Sequence, residues 1–142
     1  MTLAVKISLL FSGAFLLVGM LLGIWKYAKT MASAEHRAPV YVDIAHRASL
    51  LYGFACLVIA KLAEYSPYVD SVTIAAVSIP ILFFALTVIG YVRQGYLNQT
   101  DNMFAARTFV TTWFMYALIA GEVGGVALLL IGFIVTQFIV GV

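Results

Sequence analysis

Val72-Thr73-Ile74-Ala75-Ala76-Val77-Ser78-Ile79-Pro80-Ile81-Leu82-Phe83-Phe84-Ala85-Leu86-Thr87-Val88-Ile89-Gly90-Tyr91-Val92 runs for 21 residues without a charge. A helix rises ~1.5 Å per residue, so roughly 20 apolar residues match the ~30 Å hydrocarbon layer of a bilayer. Three more stretches have the same character: Ile7–Trp25, Ala48–Ala60 with an extension to Tyr65, and Phe109–Val140. The whole chain is 64% hydrophobic and 10% charged, whereas soluble domains carry about 25% charge. The predicted fold is all-α, an integral membrane four-helix bundle in a single domain, 1–142, with spans near 5–25, 45–65, 70–92 and 106–138.

Four spans leave no residues for a soluble module. The net charge of +2 and the absence of a basic run exclude a nucleic-acid partner. A single cysteine, Cys56, excludes an internal disulfide and a multi-thiolate metal site. Lys6, the apolar run and Ala32-Ser33-Ala34 imitate a secretory signal. The run is longer than a signal core, and Lys26 and Lys29 separate it from the cut, so it reads as a retained span.

The first and third connections share one membrane face, and with their flanks they hold Lys26, Lys29, Arg37, Arg47, Arg93 and Arg107. Only Lys6 and Lys61 lie at the other end. Positive charge marks the cytoplasmic side, so those connections are expected in the cytoplasm and both termini on the non-cytoplasmic side. A bacterial inner membrane is the expected location. Trp25, Tyr27, Tyr41, Tyr91, Tyr96, Trp113 and Tyr116 fall at the same end, as an aromatic belt does.

Small residues recur at four-residue spacing: Ala4, Ser8 and Ser12; Gly19 and Gly23; Ala45, Ser49 and Gly53; Ala117, Gly121 and Gly125. Helices in lipid associate by close packing at such positions, which predicts a compact bundle with surface left for a homo-oligomer or a larger membrane complex. Pro80 should free the Ala76 carbonyl and kink the third span, with Ser78 or water as the replacement donor. Glu122 is the one acid deep in a span. An acid there needs a partner, and Lys61 stands at similar depth, so a structural Lys61–Glu122 ion pair is expected. The fourth stretch is too long for one perpendicular crossing; it tilts, projects, or stops near Gly132.

Asp43-Ile44-Ala45-His46-Arg47 opens the second span and is the best candidate site. Asp43 shares a helix face with His46 and stands i,i+4 from Arg47. One reading is a capping acid, an interfacial base and an interfacial histidine. The other makes His46 a metal ligand with its second nitrogen oriented by a carboxylate. The sequence contains no His-x-x-x-His or Glu-x-x-His pair, which argues against zinc or di-iron. Haem needs one protein ligand, apolar walls and cations for its propionates, for which Arg37, Arg47, Arg93 and Arg107 qualify. Tyr91 lies near His46 in height, and Tyr52 is ~120° away around the helix.

Ala45-His46-x5-Tyr52-Gly53, opening a second span, resembles the corresponding segment of styrene oxide isomerases and hydroxylaminobenzene mutases. Gly121–Gly132 is similar to their closing span. The resemblance implies haem b on His46, an epoxide-type isomerase using ferric haem as a Lewis acid, a membrane trimer, and Tyr91 and Tyr52 as catalytic side chains. Asp43, Arg47, Arg93 and Arg107 would complete the cofactor site. The family's pocket asparagine is Tyr52 here, and Phe83 stands in place of a third-span acid. Ala45-His46-Arg47 and Gly90-Tyr91-x4-Tyr96 are also similar to the membrane-associated eicosanoid and glutathione metabolism family, which implies glutathione and trimeric bundles; Leu50, Leu51 and Tyr52 replace its span-two glutamate. A non-enzymatic accessory subunit is the remaining reading.

Overall fold

The computed structural model describes residues 1–140; the last two residues of the expected domain, 141 and 142, lie outside the described part. Four helices cross the molecule: α1 (Leu3–Ala32), α2 (Val40–Glu64), α3 (Asp70–Leu97) and α4 (Val110–Ile139). All four are long and apolar enough to span a membrane. The protein is an integral membrane four-helix bundle, as its sequence predicts.

Local chemistry sets the ends. The Thr2 hydroxyl accepts from the Val5 N–H and caps α1. Pro39 opens α2, and Asn98 closes α3 in the left-handed region at φ 47°. The helices outrun the expected spans: α1 continues past Trp25 through Lys26 and Lys29 to Ala32. Nothing in that segment breaks a helix, and its polar residues suit the interface. α4 runs on through Gly132 to Ile139, settling the three alternatives against an early stop. Its ends, Val110–Phe114 and Val135–Ile139, widen into π-turns.

The packing inverts the soluble pattern. Small side chains, among them Ala4, Ser8, Ala45, Ser49, Ala60 and Ala76, share the interior with Phe15, Ile59, Phe84 and Leu129, whereas Leu10, Leu51, Phe54, Ile89 and Ile131 face outward. Lipid solvates large side chains as well as the core does, so close backbone approach decides the interior. The closest seam joins α1 to α2. Ser12 Oγ donates to the Gly53 carbonyl at 2.8 Å, and Ser49 Oγ donates to the Phe15 carbonyl at 2.9 Å.

α4 is the least enclosed element; Leu129 and Gly132 are its buried residues. Its anchor to α3 is Gly125, where an added Cβ would lie 2.6 Å from the Ala76 carbonyl oxygen and 2.5 Å from Pro80 Cγ. The carbonyl that Pro80 leaves without its helical donor is therefore covered by the α4 backbone. Ala117 of the fourth small-residue stripe faces outward and takes no part.

Candidate functional site

His46 sits in the α1–α2 seam, one rung beyond the Ser49 bond. Its Nδ1 lies 2.8 Å from the Gly19 carbonyl oxygen. A carbonyl only accepts, so Nδ1 carries the hydrogen, and in the neutral imidazole the lone pair is then on Nε2. Gly23 makes room for the ring: a Cβ there would lie 2.9 Å from His46 Cε1. Of the glycine pair that reads in the sequence as a packing motif, Gly23 thus makes the notch for the imidazole, while Gly19 admits Leu50 and lends its carbonyl.

Asp43 does not orient the histidine as expected. Its Oδ1 meets Lys26 Nζ at 2.6 Å and its Oδ2 meets Arg47 Nη2 at 2.8 Å. Two cations occupy both oxygens, and a backbone carbonyl takes over the orienting role. Lys26 was legible as a partner, since it and Asp43 flank the same short connection and must stand at one height in an antiparallel hairpin. Arg47 is exposed and can reach a ligand outside the bundle.

The expected tyrosines belong to another place. Tyr52 stacks on Phe84 at 4.1 Å between centroids, and Tyr91 stacks on Tyr41 at 6.0 Å. Both line a cavity between α2, α3 and α4, together with Thr87, Gly90, Phe114 and Leu118. His46 is not among its walls. Within one chain the ~120° that separates His46 from Tyr52 around α2 is decisive: the imidazole turns to α1 and the phenol to α3 and α4. Arg93 lines a neighbouring depression under the third connection, and Arg107 is exposed on that connection. Neither belongs to the face of α2 that carries His46.

The Lys61–Glu122 ion pair is not formed. Lys61 Nζ bonds Glu64 Oε2 at 2.7 Å on the exposed end of α2, and Glu122 Oε1 is buried without a hydrogen-bond partner among the described residues. A flexible ammonium that reaches the interface finds an exposed carboxylate there and avoids the cost of desolvation. Cys56 is buried, consistent with a structural thiol.

The residues around His46 fit a haem in three respects: an Nε2 not used in the bond to Gly19, an orienting backbone acceptor on Nδ1, and cations nearby, Arg47 next in sequence and Lys26 on α1. They fit no multi-ligand metal centre, since no cluster of three or more His, Cys, Asp or Glu exists among the described residues. The partly buried imidazole and the exposed Phe54 further along the helix leave one wall missing in a single chain. No protein-family model, curated protein or solved structure matches the chain.

Proposed function

We propose that this membrane protein binds haem b through His46 Nε2, at a face completed by a second copy of the chain, and serves as an isomerase of small apolar epoxides. The observation that carries the reading is the His46–Gly19 bond at 2.8 Å. It fixes the tautomer that presents Nε2 and holds the ring in place before any ligand arrives. Lys26 and Arg47 neutralise acidic groups at the interface, and the outward apolar face of α2 excludes water. The missing wall makes association a condition of the site, and a trimer follows the family resemblance. His46 would hold the haem, which when bound would supply a Lewis acid for an epoxide oxygen. The connections 33–39 and 98–109 face the cytoplasm in this proposal, following the distribution of positive charge.

The test is the visible spectrum of the detergent-purified protein titrated with haemin. A Soret band that disappears in His46→Ala and returns with added imidazole supports the reading. A colourless protein after haemin titration, or a Soret band indifferent to His46→Ala, overturns it. An aryl epoxide converted to its aldehyde only by the haem-loaded wild type supports the isomerase assignment. Saturable glutathione binding without haem would place the protein in the second family, and neither ligand with co-purifying membrane partners would make it an accessory subunit.

A further inference from the structure

The cavity between α2, α3 and α4 holds about 210 Å³, below the ~300–1,000 Å³ of drug-sized ligand sites and so suited only to a small molecule. Most of its wall is apolar, and Tyr52, Thr87 and Tyr91 supply the hydroxyls. Met103 and Phe104 of the third connection cover one end. That cover is fixed from below, because the Tyr41 phenol accepts the Met103 N–H at 2.6 Å.

Two buried side-chain oxygens lack a hydrogen-bond partner among the described residues, Thr87 Oγ1 and Glu122 Oε1. Thr87 is part of the cavity wall, whereas Glu122 lies just beyond it. Glu122 stands one turn beyond Leu118, which lines the cavity, on the same face of α4. An unpartnered acid inside a membrane is costly and marks a site with a missing partner. Lys61, the cation expected at its depth, pairs instead with Glu64. Among the described residues no cluster of three or more His, Cys, Asp or Glu surrounds Glu122, which leaves too few ligands for a hard cation. An ammonium needs one carboxylate, a hydroxyl acceptor and aromatic faces, which Glu122, Thr87 and the two tyrosines provide.

We infer that this cavity binds a small lipophilic organic cation, an arylalkylammonium, with its ammonium between Glu122 and Thr87 and its ring among Tyr52, Tyr91 and Phe114. The site is separate from His46 and does not depend on haem.

The experiment titrates the full chain in lipid nanodiscs with benzylamine, protonated at neutral pH, and with the neutral isostere benzyl alcohol, followed by saturation-transfer NMR. The amine is expected to bind saturably, and the alcohol at least about tenfold more weakly, as loss of a charged hydrogen bond entails. Glu122→Gln should bring the amine down to the level of the alcohol, and Thr87→Val should weaken it in the same sense. His46→Ala should leave it unchanged. Equal affinity for amine and alcohol, no saturable amine binding, or full amine affinity in a well-folded Glu122→Gln overturns the inference; if Glu122→Gln does not fold, the amine-to-alcohol ratio and Thr87→Val decide.

Discussion

Replacing Gly125 by alanine tests how α4 is held to the bundle. The added Cβ would sit 2.5 Å from Pro80 Cγ, 2.6 Å from the Ala76 carbonyl oxygen and 2.9 Å from Pro80 Cδ. Relaxed carbon contacts lie at about 3.5–4.0 Å. Neither neighbour yields easily, since one is a closed ring and the other is backbone. Overpacking of this kind costs about 1–3 kcal/mol, whether paid as strain or as retreat of α4. Alanine also gains about 1 kcal/mol of helix propensity over glycine, which partly hides the effect. Gly124→Ala removes that ambiguity, because a Cβ at 124 meets nothing within 4 Å. The propensity gain is common to both variants, so their difference isolates the contact. Gly125→Ala should therefore be about 1–3 kcal/mol less stable than Gly124→Ala in detergent unfolding followed by circular dichroism. Equal stability of the two variants would refute the claim that Gly125 is the close contact between α3 and α4.

Two further outcomes concern the other seams. Ser12→Ala and Ser49→Ala each remove one interhelical bond between α1 and α2, and each should cost about 0.6–1 kcal/mol in the same unfolding assay. Lys61→Ala removes a cation whose ion pair among the described residues lies on the exposed end of α2, so the melting temperature should not change; a marked drop would show that Lys61 has a buried partner after all.

Much of this architecture is legible from composition, because lipid as solvent simplifies the problem. Each backbone group must be satisfied within its own helix, so a charge-free run such as Val72–Val92 has one viable structure. The small residues at 12, 19, 23, 49 and 53 announced close seams for the same reason, and the structure uses all of them between α1 and α2. Rotation about each helix axis was less accessible. In soluble proteins an amphipathic stripe fixes it, but here both interior and exterior are apolar and the pattern carries little contrast.

The sequence by itself determined that this is a four-span membrane protein, where its polar ends fall, and that His46 opens the second helix. Only tertiary structure decided what His46, Tyr52, Lys61 and Glu122 face. Lys61 and Glu122 matched in depth yet point apart, and His46 and Tyr52 share a helix yet serve different seams. Depth follows from counting residues along one axis at a fixed rise. Partnership depends on how helices turn toward one another, and that is set by contacts such as Gly19 with His46 and Gly125 with Pro80, which exist only after the bundle has assembled.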